Sequence, residues 1–151
     1  MVDDIYKAFV DAINNVFKLV LNISDISVHS SEEFTCDDEI DIAVGIVGEL
    51  QGEVLYRFPV TTSLSMVNIM SGMEFEDVDI FVTSAISEIA NIISGNVLTS
   101  LSDDMQKYDI LDILPPVQSR PDDSKAYEIE SSCRVSTSIG EVFLKIGLNP
   151  A

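Results

Sequence analysis

Ser84-Ala-Ile-Ser-Glu88-Ile-Ala-Asn91-Ile-Ile-Ser-Gly95-Asn96 reads as one helix with two unlike sides. At roughly 100° per residue, Glu88 and Asn91 are neighbours one turn apart, and Ser84 and Gly95 continue the same row. Val82, Ile86, Ile89, Ala90, Ile93 and Val97 fall on the opposite side. Burial of that apolar side is reason enough for the segment to be helical. It leaves the carboxylate and the carboxamide unaccounted for, facing water or a partner.

Working outward, Asp77 or Asp79 opens this helix, which runs to about Leu101. Upstream, Thr61 or Thr62 caps a shorter helix ending near Met70, broken by Ser71-Gly72, and Pro59 stops the strand before it. Ile40 to Val47 and Gly52 to Val60 are β-branched, apolar strands. They are joined across Gly48-Glu-Leu-Gln-Gly52, where glycine supplies the positive φ of a hairpin. Residues 3 to 21 place Ile5, Phe9, Ile13 (or Ala12), Val16, Phe17 and Val20 at helical spacing, and Asn22 ends that first helix. Residues 23 to 29 alternate only weakly, and Ser30 to Glu39 reads as a polar, acidic loop.

Downstream, Lys107 to Val117 is an extended return to the sheet, with Pro115-Pro116 at a strand edge where a missing N–H is tolerated. Arg120-Pro-Asp-Asp-Ser-Lys125 is a turn or loop. Tyr127 to Val135 and Glu141 to Leu148 form a second strand pair around Ser136 to Gly140. Strands grouped around a helical middle predict an α+β domain: a largely antiparallel sheet with helices packed on one face. The 151 residues, 46% of them hydrophobic, suit a single domain over 1–151.

A formal charge of −18, with eight basic residues thinly spread, argues against nucleic acid or an anionic membrane surface as partner. The segment Met1-Val-Asp-Asp-Ile-Tyr-Lys7 is unlike a secretory signal, and no run of about 18 apolar residues reads as a spanning helix, so a cytoplasmic protein is expected. Cys36 and Cys133 are distant in sequence and are expected to be free thiols. A single histidine, His29, leaves no zinc cluster and no nucleophile–histidine arrangement. The acidic run Glu32-Glu-Phe-Thr-Cys-Asp-Asp-Glu39 lacks the spacing and turn glycine of a calcium loop and reads as solvated.

Glu88-x-x-Asn91 on a helix of small and apolar residues resembles the signature of the CheC/CheX/FliY family, phosphatases of the chemotaxis response regulator CheY. Gly45-Ile-Val-Gly48-Glu-Leu-Gln-Gly52-Glu-Val-Leu-Tyr-Arg-Phe58 is similar to that family's glycine-punctuated hairpin, and Asp112-Ile-Leu-Pro115-Pro116-Val117 to its return into the sheet. The three segments occur in the family's order, so the resemblance covers roughly residues 5 to 148. One clear motif copy, where CheC and FliY proteins typically carry two, favours the CheX branch. Asp11-Ala-Ile-Asn14 has a similar spacing and is expected to be a coincidental surface pair.

The resemblance implies a CheC/CheX-like fold and hydrolysis of the aspartyl phosphate of a CheY-type regulator. Asn91 would orient the attacking water and Glu88 would pair with the regulator's active-site lysine. Ser84 and Gly95 would let the partner approach closely. It implies no cofactor in this chain, because magnesium and the phosphorylated aspartate belong to the regulator, and it implies a homodimer. The apolar strand Glu141 to Leu148 is expected to need a covered edge. The competing class is a non-catalytic binding module for a regulator or flagellar-switch component; a metal hydrolase is disfavoured by the missing ligands.

Overall fold

Side chains alternate along β2 (Glu39–Val47) and β3 (Leu50–Pro59), and that alternation organises the molecule. Ile40, Ile42, Val44 and Ile46 stand opposite or beside Val54, Tyr56 and Phe58 in the antiparallel register, and all seven are buried on one face of the pair. The computed structural model describes residues 2–30, 39–48, 50–105, 112–118 and 127–150. Its elements begin with α1 (Val2–Leu21) and β1 (Ser27–Ser30), continue after β3 with α2 (Val60–Ser71) and α3 (Ile80–Met105), and close with four strands. These are β4 (Asp112–Ile113), β5 (Val117–Gln118), β6 (Ile129–Thr137) and β7 (Gly140–Pro150).

The strand order is β1-β6-β7-β3-β2, every pairing antiparallel, and the two-residue pieces β4 and β5 both add to the outer edge of β2. Pro115 and Pro116 separate those pieces, as expected of prolines at a sheet edge. Residues 107–111 of the anticipated extended segment and the anticipated turn at 120–125 lie outside the described residues. Cys133, Val135, Val142, Leu144, Ile146 and Leu148 extend the apolar face begun by β2 and β3. The buried sides of α1, α2 and α3 close over that face in one cluster, which gives the α+β arrangement with helices on one side of the sheet.

Several local expectations change. Strand β7 is paired on both sides, to β3 and to β6, so it is a central strand and not an edge needing cover. Its run Val142-Phe143-Leu144 is buried on both faces, the pattern of an interior strand. Strand β3 starts at Leu50, so the connection after Val47 is shorter than expected; Gly48 supplies the positive φ, at 130°. Gly52 is a ladder residue instead. A Cβ there would collide with the carbonyl oxygen of Gly147 on β7, so its role is close approach of two backbones.

Neither Thr61 nor Thr62 caps α2, which starts at Val60 directly after Pro59, with no side-chain cap bond. Thr62 is buried instead, against Gly140 of the β6–β7 turn. At the far end of α2, Gly72 adopts the left-handed conformation and donates to the Asn68 carbonyl at 2.9 Å. Helix α1 ends as expected at Asn22, whose φ is 56°, with Ile23 N donating to the Phe17 carbonyl at 3.0 Å. Leu21 takes the last core position there, while Val20 is turned outward. Cys133 is a free, buried thiol, and desolvation raises its pKa to about 11; Cys36 and the acidic run up to Asp38 lie outside the described residues.

The face of the sheet turned away from the helices carries charge. Arg57 donates from Nε to Asp41 Oδ1 at 2.8 Å and lies 3.1 Å from Glu39, with Arg57 and Asp41 both buried. Looser pairs, Arg134–Glu141 at 3.6 Å and Lys145–Glu130 at 3.9 Å, are more exposed and contribute little. His29 is exposed on β1 across from Arg134. Removing one member of a buried ion pair strands the other. Arg57→Ala is therefore expected to lower unfolding free energy by about 3 kcal/mol or more, and Asp41→Ala by less, because Glu39 still partners Arg57. Urea denaturation of both variants measures this; equal losses would contradict it.

Candidate active site on the exposed row of the long helix

Asp79 fixes where α3 begins. Its Oδ1 accepts from Val82 N at 2.9 Å, the bond of an N-cap, and its carbonyl accepts from Thr83 N at 3.0 Å. Val82, Ile86, Ile89, Ala90, Ile93 and Val97 are all buried, as their spacing predicts. The window Ile80–Val97 is apolar and long enough to cross a membrane by length and composition, with mean hydropathy 1.3. Its apolar side is nonetheless the centre of the core, packed on the sheet and against α1.

Ser94 interrupts the apolar side with a polar group and is fully enclosed. Its hydroxyl donates to the Ala90 carbonyl at 2.9 Å, so Tyr56 of β3, 2.8 Å away, is the donor of the bond between the two side chains. Desolvation raises the pKa of the Tyr56 hydroxyl, more than the bond to Ser94 lowers it, so the group stays protonated. This bond ties α3 to β3 three residues from Asn91. The sequence reading missed it. The available signal was a tyrosine at a core-facing strand position, which needs a partner for its hydroxyl, and a serine among buried helix positions.

The outer row holds the four residues singled out from the sequence. Ser84 and Glu88 are exposed, while Asn91 and Gly95 are half-buried. Residues three and four apart on a helix are surface neighbours, so α3 brings all four into one stripe. Among the described residues, none bonds to the Asn91 carboxamide or pairs with the Glu88 carboxylate. Asn14 and Asn96, by contrast, turn back to carbonyls of their own helices at 3.0 and 2.9 Å. The Asn14 amide of the Asp11–Asn14 pair is thus engaged within its own helix, while the Asn91 amide has no such bond among the described residues.

Gly95 is unusual in the same way. No described atom lies within 4 Å of the position a Cβ would take, so internal packing does not require glycine there. Glycine inside a helix costs about 0.8–1 kcal/mol relative to alanine. The row thus offers an open shelf beside the free amide. Among the described residues no group of three or more His, Cys, Asp or Glu is placed to hold a metal ion.

The structure is an α+β domain in which a helix lying over an antiparallel sheet carries an acid and an unengaged amide on one open stripe. The family profile described as "Chemotaxis phosphatase CheX" matches residues 40–139, a span that includes α3. The chain belongs to the CheX family. Over 74 residues it is 35% identical to the CheY-P phosphatase CheX of Thermotoga maritima, covering 48% of this chain and 46% of that relative. The chain thus aligns with about half the length of that relative.

Solved structures extend the likeness in fold to nearly the whole chain. The chemotaxis protein CheX from Vibrio vulnificus superposes with a TM-score of 0.80 at 18% identity, covering 96% of this chain and 99% of that one. CheX in the Borrelia burgdorferi CheX–CheY–BeF3–Mg2+ complex gives 0.76 at 20% identity, covering 95% and 97%.

Two stability outcomes follow from this geometry. Ser94→Ala leaves the buried Tyr56 hydroxyl without an acceptor and is expected to cost about 1–3 kcal/mol, whereas Tyr56→Phe should cost less, since Ser94 still bonds Ala90. Gly95→Ala is expected to stabilise the protein by about 0.5–1 kcal/mol. Thermal and urea denaturation check both; a destabilising Gly95→Ala would mean that the shelf is occupied within the fold.

Proposed function

We propose that this chain hydrolyses the aspartyl phosphate of a CheY-type response regulator, with α3 inserted at the regulator's phosphorylation site. The observation that carries the reading is the unengaged Asn91 carboxamide on one stripe with Glu88, in a chain of the CheX family. An aspartyl phosphate is already an activated acyl phosphate, so its hydrolysis needs a water held in line with phosphorus more than it needs a new nucleophile. The Asn91 amide oxygen accepts a hydrogen bond from that water and the amide nitrogen donates to a neighbouring oxygen. The water oxygen bonds to phosphorus, the bond to the aspartate breaks with its electron pair returning to the carboxylate, and the water proton leaves with phosphate or to solvent.

Neutrality suits the task. A carboxylate at position 91 would stand against the charge of the phosphoryl group, while an amide adds none. Glu88, one turn earlier, is assigned to dock the helix through an ion pair with a lysine of the regulator's pocket. Ser84 and Gly95 keep the surface low enough for the two molecules to close. This chain supplies no cofactor in the reading, and magnesium belongs to the regulator. The reading implies a cytoplasmic protein that forms a homodimer. Strand β1 pairs only Cys133 to Ser136 of β6, and among the described residues the edge from Ile129 to Ser132 has no strand beside it. An edge of this kind supports a second copy adding there.

The test is the lifetime of the phosphorylated regulator with and without the protein, binding being followed separately. Wild type is expected to shorten the lifetime, and Asn91→Ala to bind normally while losing about 100-fold in rate. Gly95→Ala, although more stable, is expected to weaken binding. Binding by wild type with an unchanged lifetime would make the chain a non-catalytic binding module. Light scattering decides the dimer: a mass near the 16.6 kDa of one chain would exclude it.

A further inference from the structure

The stripe on α3 does not stop at Ser84. Ile80 lies four residues before Ser84 and eight before Glu88, so it stands on the same row at the helix's first turn. It is 85% exposed, an unusual setting for so large an aliphatic side chain in a domain with a well-filled core. It is not alone. Met73 at 61% and Phe81 at 51% are also exposed, as is Val78. Phe81 stacks on Phe75, with ring centroids 5.3 Å apart, which ties the α2–α3 connection that carries Met73 to the first turn of α3. Exposed apolar side chains are thus found at the first turn of α3, where the row that carries Glu88 and Asn91 begins, and in the connection held to it by the Phe75–Phe81 stack.

Its rim is acidic. Glu74, Glu76 and Asp77, all exposed, interleave with Met73, Phe75 and Val78 along the connection. An exposed apolar patch edged by one sign of charge fits a partner surface that is apolar and edged by the opposite sign. A second copy of this chain is a poor occupant, because a two-fold contact would set the patch against itself and its carboxylates against their own copies.

We infer that Met73, Ile80 and Phe81 form an anchor for the same regulator, docking on an apolar, lysine- or arginine-edged surface about 12 Å along the helix from Glu88 and about 16 Å from Asn91. The inference rests on the proposed reading of α3, because it takes the occupant to be the molecule that Glu88 and Asn91 meet. In that arrangement the chemistry and the recognition are separated along one helix. Asn91 and Glu88 work in a pocket common to such regulators, whereas the anchor contacts surface outside it, and so selects among regulators. The acidic rim also gives a chain of charge −18 a route to a partner whose phosphorylation pocket is itself negative.

The experiment uses a phosphorylated regulator whose lifetime the wild-type protein shortens, and separates KM from kcat for Ile80→Ser and Met73→Ser. Both positions are exposed, so an unchanged thermal midpoint is expected and two independent variants guard against a misfolded one. Each is expected to raise KM roughly tenfold with kcat unchanged. A triple Glu74→Gln/Glu76→Gln/Asp77→Asn variant is expected to flatten the rise of KM with added salt. Unchanged KM in both apolar variants, or a loss confined to kcat, overturns the anchor while leaving the activity standing. Failure of wild type to shorten any regulator's lifetime removes the underlying reading, and the anchor falls with it.

Discussion

Burial of one side of α3 against the sheet is the constraint on which the rest of the structure depends. Six apolar side chains from Val82 to Val97 are sealed against β2, β3 and α1, so the helix cannot rotate without exposing them. Hydrophobic burial is nondirectional, however, and leaves the helix free to slide or turn by small amounts. The bond from Tyr56 to Ser94 adds a directional constraint, since both groups are enclosed and neither has a solvent alternative. Asn91 and Glu88 inherit their direction from this fixed axis. A site on a rigid helix is held more closely than one on a loop, which matters when the task is to hold a water in line.

A division of labour runs through the sheet. The face toward the helices is largely apolar, and the opposite face carries the Arg57–Asp41–Glu39 cluster together with looser ion pairs. The close approach at Gly52 lets β3 and β7 run together, and β7 is an interior strand because it pairs with β3 on one edge and β6 on the other. The sheet is thus a platform whose chemistry is internal. Glu88 and Asn91, the groups assigned to the proposed reaction, lie on the side of α3 turned away from the core.

Much of this was legible before any coordinates, and the reason is periodicity. The two sides of α3, the β2–β3 hairpin, the end of α1 at Asn22 and a cap at Asp77 or Asp79 all depend on residues within a few positions of one another, which a linear reading captures. What failed depends on distant partners. Thr62 seemed a cap because threonine often is one, but its environment is set by Gly140, far along the chain. The strand after Gly140 seemed an edge because nothing local names its neighbours, although burial of Phe143 beside Leu144 marks an interior position. For the site, the four residues of the stripe were readable from spacing. The Tyr56–Ser94 bond was not, because it joins positions 38 apart, and the apolar end of the stripe at Ile80 only becomes visible once its exposure is known.

In the proposed reaction, position 91 acts through a neutral carboxamide. The most direct measurement is the single-turnover rate of phosphate release from a phosphorylated regulator at saturating protein, compared between wild type and the near-isosteric Asn91→Asp. The account predicts that the aspartate variant falls close to the unassisted rate, because charge repulsion from the phosphoryl group displaces the group that should hold the water. An aspartate variant that keeps the wild-type rate would contradict it.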